Sequence, residues 1–470
     1  MPRAPIVFPL TSRPGGKRQE SAGRVINGYA EPLGDGARSD RSLRRVPGMA
    51  SFATSDESAF RGMIHSGGTL YLTYGSTIRK VSNIGGAALS HGSFSGSAKC
   101  FFARNNNATP DVVVVDPNNG ARIITSVGVF AYPDADVGSP NGVTFGEGFF
   151  FFTDGAGTCR ASGLNTTSIN TSEYITAEGK PDSLLRPVYF NGVLYLFGTD
   201  SIEIWSSGGT PNATGFPLNR LQILSRGLAG RYAMAGHEDG FGSVLIFVGS
   251  DNGVHTLSGG SINKISTPDL DRLIAAVEDK DTLEAGVYVS QGRPVFVLSS
   301  DTWTQEFNLN SLQWSERASG GLSRWRGTQP YYVFDKWLCG DVLNGNVYEI
   351  DADTRTEAGL PLMMTATSAP IQGERMRLDR IDIDITVGVG NDAGTTTNQR
   401  SPNCELSVSL NGGESFGAPV FIPLGERGKW RQKISAGPWG RIAAAGAVIR
   451  VAVSDDVDFG LLGGQATINP

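Results

Sequence analysis

Seven times along this chain a short apolar run meets a tight turn and is answered by a second apolar run. Leu70-Tyr71-Leu72 is followed by Gly75-Ser76 and then by Ile78 to Val81. Leu194 to Phe197 turns at Gly198-Thr199-Asp200 into Ile202 to Trp205, and Val244 to Val248 turns at Gly249 to Gly253 into Val254 to Leu257. Val295 to Leu298 turns at Ser300-Asp301 and returns through Phe307, and Trp337-Leu338 leads through Asn344-Gly345-Asn346 into Val347 to Ile350. Weaker versions lie at Val112 to Val115 and Phe149 to Phe152. Each is a β-hairpin signal, because such turns need residues that tolerate a positive φ.

The repeat distance narrows the fold further. With Leu70, Val113, Phe150, Leu194, Leu245, Val295 and Trp337 as markers, successive hairpins lie 37 to 51 residues apart, about 44 on average. A hairpin-built period of that size is the signature of propeller blades. One four-stranded sheet cannot cover its own apolar face, whereas six or seven packed radially can. A stacked β-solenoid has shorter periods, and a sandwich has no such regularity. Glycine, at 62 of 470 residues, is well above its usual share of about 7 %, as in an all-β chain that spends it on turns. Residues 51–362 are expected to form a six- or seven-bladed β-propeller.

Thr267-Pro268-Asp269 interrupts this pattern with a helix start, followed by the apolar stripe Leu270, Leu273, Ile274 and Val277. That helix is expected against the propeller's side. Beyond it the texture changes. Arg380 to Ile385 alternates strictly, which sends the isoleucines inward and the aspartates to water. Gly388 to Pro402 reads as a polar loop. Cys404 to Leu410, Val420 to Ile422, Trp430 to Ile434 and Ala447 to Val453 read as strands, with a turn at Asn411-Gly412-Gly413. Residues 363–470 are expected to form a C-terminal β-sandwich. Residues 1–50, rich in Pro, Gly and Arg, read as an extended N-terminal arm.

A net charge of −6 and a pI near 5.4 argue against a strong sequence-independent grip on nucleic acid. Arg13 to Arg24 and Arg38 to Arg45 read as the only basic clusters. No apolar run approaches the roughly 18 residues of a spanning helix. Met1 to Pro9 lacks the apolar core of a signal peptide, so a cytoplasm-like compartment is the expectation. Cys100, Cys159, Cys339 and Cys404 stand at no metal-ligand or redox spacing and read as buried reduced thiols.

Several motifs offer chemistry without its context. Gly413-Glu414-Ser415-Phe416-Gly417 matches a nucleophile elbow, which needs a following helix and a later histidine, yet the histidines end at His255. Gly388-Val389-Gly390 begins like a dinucleotide fingerprint, but the third glycine stands at Gly394 and Thr395-Thr396-Thr397 reads as opening no helix. Asp455, Asp456 and Asp458 lack the spacing and glutamate of a Ca²⁺ loop. Asp382 and Asp384 share one strand face, whereas a glycosidase pair faces across a cleft. Ser409 to Phe416 is like one degenerate Asp-box with Asn411 in the Asp position. No catalytic, cofactor-binding or metal-binding residue is expected, and the chain is expected not to be an enzyme.

Five further stretches are informative in their order. They are Asn27-Gly28-Tyr29-Ala30-Glu31 with Val46-Pro47-Gly48; Phe197 to Trp205; Ile265-Ser266-Thr267-Pro268; Phe307 to Trp314 with Gly340 to Tyr348; and Leu406 to Ser409 into Asn411-Gly412-Gly413, with Trp430 and Ala447 to Val453. In this order they resemble the packaged-DNA stabilisation proteins, or tail hubs (nozzles), of short-tailed bacteriophages, from about residue 25 to the end. Phe416 and Asn411 stand where that family has Trp and Asp.

The resemblance implies a structural virion protein assembled in the host cytoplasm. Six copies would form a hexameric ring below the portal and head-to-tail adaptor. The ring would retain packaged DNA, conduct it during genome ejection, and anchor tailspikes or tail fibres and a tail plug or needle. No cofactor is implied. DNA would pass without sequence-specific binding, since six copies at −6 each carry −36 and let a polyanion slide. Retention would then fall to a plug or constriction. Two other classes remain open. One is a glycan-binding or glycan-degrading tail propeller, which needs carboxylates, arginines and stacked aromatics converging at the propeller mouth. The other is a cellular propeller scaffold.

Overall fold

The computed structural model describes residues 3–12, 21–176, 182–208, 216–242, 244–373 and 375–469. The chain divides into two compact units that do not follow chain order. One comprises residues 51–289 and 326–349, the other residues 1–50, 290–325 and 350–470.

The first unit is built from antiparallel meanders in which each strand lies beside its sequence neighbour. Five four-stranded meanders span residues 62–93, 101–131, 142–176, 184–224 and 234–264. A further one runs through Gly327–Val333, Lys336–Asp341 and Val347–Asp351. Leu70, Val113, Phe150, Leu194, Leu245 and Trp337 each sit on the second strand of their meander. The turns leading into four of those strands, Gly67-Gly68, Glu147-Gly148, Asn191-Gly192 and Phe334-Asp335, hold both central residues at positive φ. Such turns match the right-handed strand twist.

Alternation along a second strand explains the radial packing. On Phe149–Thr153, Phe150 and Phe152 join the cluster of Phe101, Val113 and Val115. Phe151, one residue away on the other face, joins that of Leu194, Leu196 and Trp205. A sheet covered on both faces has no need of polar alternation, which is why these strands read as unbroken apolar runs. The helix Pro268–Ala275 starts where expected. Thr267 caps it, accepting from the Leu270 backbone N–H, and Leu270 and Ile274 are buried.

The second unit is a sandwich of two sheets. One has the order Arg293–Ser299, Thr304–Asn308, Gln313–Glu316, Arg24–Ile26, Met364–Thr367, Val448–Val453, Asn403–Ser409 and Val420–Pro423. The other runs Gly28–Pro32, Arg41–Arg45, Leu461–Asn469, Arg377–Ile385 and Ile434–Ala436, with Arg3–Ile6 also pairing on Leu461–Asn469. Val25, Met364, Leu406 and Val451 of the first sheet share one core with Leu43, Ile381, Ile383 and Ile468 of the second. The strands of residues 1–50 are built into both sheets. Arg24–Ile26 pairs in parallel with the strand ending at Glu316, through Ile26.

Two local readings need correction. Trp430 to Ile434 is not a strand. Strand structure begins at Ile434, which is buried, and Trp430 stands exposed in the preceding loop, because Arg431-Gln432-Lys433 between them offer no apolar side chain to bury. Thr395-Thr396-Thr397 does open a helix, the single turn Thr397–Arg400. Thr396 accepts from the Gln399 backbone N–H while Gln399 reaches back to the Thr396 N–H, a reciprocal capping box that stabilises even one turn.

Candidate functional site

The first strands of the propeller converge on one cavity of about 350 Å³. Gly62–Ser66, Phe101–Arg104, Gly142–Gly146, Leu184–Phe190, Met234–Ala235, Glu284–Ser290 and Gly327–Val333 all contribute to its wall. The described residues therefore supply seven innermost strands: six belong to the meanders above, and Glu284–Ser290 is the seventh.

Part of this wall is electrostatically closed. Lys99 Nζ lies 2.6 Å from Glu284 Oε2, Thr328 Oγ1 donates to the same carboxylate at 2.7 Å, and Tyr232 donates to the Lys99 carbonyl at 3.0 Å. The opposite case is Arg186. Its Nη1 reaches only the carbonyls of Arg231 (3.3 Å) and Met234 (3.5 Å), and its guanidinium lies 4.7 Å over Phe101, which stacks on Tyr232 at 5.4 Å. Burial lowers its pKa to about 10, against the opposing pull of Glu238. Burial likewise holds His237 below the ordinary imidazole range. An arginine, carboxylates and stacked aromatics thus do converge here. The chemistry they offer is recognition of a polar ligand.

The motifs set aside above lie elsewhere. Ser415 is part of a turn: its N–H donates to Asn411 Oδ1 (3.1 Å), Asn411 Nδ2 donates to its Oγ (2.9 Å), and the Gly413 N–H donates to Ser409 Oγ (2.9 Å). Asp455 braces the backbone by accepting from the Asn403 N–H at 2.7 Å. Asp382 pairs with Arg380 at 2.7 Å and Asp384 with Arg38 at 2.9 Å. Among the described residues no three His, Cys, Asp or Glu side chains form a metal-binding group, and no helix is long and apolar enough to cross a membrane.

The basic clusters also need revision. Arg13, Lys17 and Arg18 lie outside the described residues. Arg38, Arg41 and Arg44 are paired with Asp384, Asp40 and Glu31. A third cluster, overlooked in the sequence, is the loop carrying Arg427, Lys429, Arg431 and Lys433 around Trp430, which is 77 % exposed. Its signal was a cation at every second position, disguised by the apolar residue between them.

The ordered stretches turn out to be packing knots. Asn27, at φ 54°, donates through Nδ2 to the carbonyls of Ala318 and Met363, both at 2.8 Å, and accepts from the Ala318 N–H at 2.9 Å. A Cβ on Gly48 would lie 2.4 Å from the Thr354 carbonyl oxygen. Buried Glu203 accepts from Trp205 Nε1 at 3.0 Å, and buried Asp341 from Arg326 Nε at 3.0 Å. A family model described as bacteriophage P22 Gp10, beta-propeller, matches residues 26–355. The chain belongs to that family. It is thus a bacteriophage tail β-propeller of the P22 Gp10 type, a structural family of the virion.

No curated protein matches it. Among solved structures, Raptor of Chaetomium thermophilum is similar over 65 % of this chain at 9 % identity and a TM-score of 0.43, and the chain spans 29 % of that protein. The computationally designed Ika8 protein is similar over 69 % of this chain and 96 % of its own, at 11 % identity and a TM-score of 0.38.

Proposed function

We propose that this P22 Gp10-type propeller is the tail hub, or nozzle, of a short-tailed phage. In this reading six copies ring the tail axis below the portal and head-to-tail adaptor, retain the packaged genome, conduct it during ejection, and anchor tailspikes or fibres and a plug or needle. The role is architectural, with no catalysis and no cofactor. The observation that carries it is the family match over residues 26–355. A closed ring of identical copies needs a head-to-tail interface, so one face of the chain meets a different face of the next. The acidic balance, −6 per chain, supports passage of DNA without a grip, because each phosphate contact by Lys or Arg would add salt-dependent affinity. The chain would stay monomeric until it meets the connector, since premature rings are a dead end for assembly.

The test is electron microscopy of particles made when this gene carries a nonsense mutation. Heads that package DNA and then lose it, lacking the tail ring, are the expected result. Full, tailed particles that only fail to adsorb would overturn the hub reading in favour of a receptor-facing one.

A further inference from the structure

Among the described residues, three arginines of the propeller unit are buried nine-tenths or more: Arg61, Arg186 and Arg326. Arg61 and Arg326 each meet a carboxylate directly, Asp116 and Asp341. Arg186 has none within hydrogen-bond reach. Its Nε is buried without a hydrogen-bond partner, and its Nη1 has only two long contacts to backbone carbonyls. A buried guanidinium left in that state is costly, and an anion is what completes it. Two more buried polar atoms of residues on the same cavity make no hydrogen bond: Gln329 Oε1, and His237 Nδ1, which lies 3.7 Å from Glu238 Oε2. Unsatisfied groups collected in one cavity mark a wall shaped for a polar occupant rather than a packed core.

The surroundings narrow that occupant. The Glu238 carboxylate lies on the same wall, accepting from the Gly236 N–H at 2.6 Å and 3.7 Å from His237 Nδ1, so a dianion such as phosphate would be repelled. A molecule with one carboxylate and several hydroxyls has no such conflict, because hydroxyls donate to Glu238 and to Gln329 Oε1. Half-buried Tyr232 and Tyr331 supply ring faces for an apolar C–H surface. A cavity of about 350 Å³ lies in the size range of small-ligand sites. We infer that the axial cavity of the propeller binds a carboxylate-bearing sugar, with the carboxylate on Arg186 and its hydroxyls on Glu238, His237 and Gln329. The inference concerns the propeller alone and stands whether or not the chain forms a ring.

The experiment is calorimetric titration and saturation-transfer NMR on the full chain with D-glucuronic acid, with glucose, acetate and inorganic phosphate as comparisons. Glucuronate should bind with a Kd of about 1 mM, the scale set by its size. Glucose, acetate and phosphate should each be at least about tenfold weaker, since each lacks one half of the recognition. Arg186→Gln should weaken glucuronate by about tenfold or more and Gln329→Leu by about threefold. Gln329→Leu carries no charge change and keeps the test alive if Arg186→Gln does not fold. Equal binding of glucose, or of acetate or phosphate, would overturn the inference, the latter revealing a bare anion site. So would unchanged binding in folded variants, or no binding up to about 20 mM.

Discussion

Arg61 and Asp116 form an ion pair sealed inside the propeller, joining the residue before one blade's first strand to the end of the next blade's second strand. Both are essentially inaccessible, at 1 % and 0 % exposed. Each nitrogen of the guanidinium and each oxygen of the carboxylate has a hydrogen-bond partner. Arg61 Nε donates to the Ala98 carbonyl (2.7 Å) and Nη1 to the carbonyls of Phe94 (2.8 Å) and Tyr74 (3.1 Å). Asp116 accepts from the Asn118 N–H (2.7 Å) and Asn119 Nδ2 (2.9 Å).

Removing one partner leaves the other charge buried alone. Asp116→Ala should therefore cost about 3–5 kcal/mol, and the double variant Arg61→Met with Asp116→Leu should recover much of that loss. Urea denaturation of the full chain measures both. Single-variant losses under about 1 kcal/mol would show that the pair is not what clasps these blades.

A second prediction concerns acid. Burial raises the Asp251 carboxyl, but Arg226, His255 Nε2 at 2.9 Å and the Gly253 N–H at 3.2 Å outweigh it and hold the group below the usual carboxylate range. A depressed carboxylate contributes stability that is complete above the unfolded pKa, about 4, and lost as pH falls toward the folded value. Thermal melts should show Asp251→Asn less stable than the parent at pH 6, with the gap narrowing by pH 3. A constant gap would mean the effect is steric. The side chain is 40 % exposed, so added salt should shrink the gap as well.

Close approach between blades sets a third. A Cβ on Gly146 would lie 2.0 Å from the Tyr189 ring on the neighbouring inner strand. Gly192, at φ 78°, has open space around it. Gly146→Ala should cost about 1–3 kcal/mol or more by overpacking, and Gly192→Ala about 1 kcal/mol by backbone strain. Denaturation midpoints that reversed this order would contradict the packing described for this contact.

The cysteines give a fourth. All four are buried and outside any disulfide, and burial pushes the thiols of Cys100 and Cys404 up to about 12 and Cys159 higher still. At pH 8 the native chain should react with Ellman's reagent far more slowly than the denatured chain, which should titrate four thiols. A rapid native stoichiometric reaction would place at least one cysteine on an opening segment.

What could be read without coordinates was local. A hairpin is decided by two apolar runs and the φ values its turn residues tolerate, and all of these lie within about a dozen residues. The blade period and the inward isoleucines of Arg377–Ile385 were accordingly legible. The sandwich followed from the same alternation, and the buried thiols from cysteine spacing.

Partnership between distant segments was not legible in that way. Arg293–Glu316 reads like any other blade hairpin, yet its strands run in a sheet with Arg24–Ile26, and Ile26 pairs with a residue 290 positions away. Glu306 and Glu357 look like surface carboxylates until both accept from buried Arg317, at 3.1 and 2.7 Å. Arg186 is one arginine among many until seven first strands close around it. The sequence alone determined the repeating unit, because turn chemistry and alternation act between neighbours. The tertiary structure decided which sheet each hairpin joins, which charges are buried and what the axial cavity presents. Those outcomes depend on which surfaces exclude water together, and no local pattern records that.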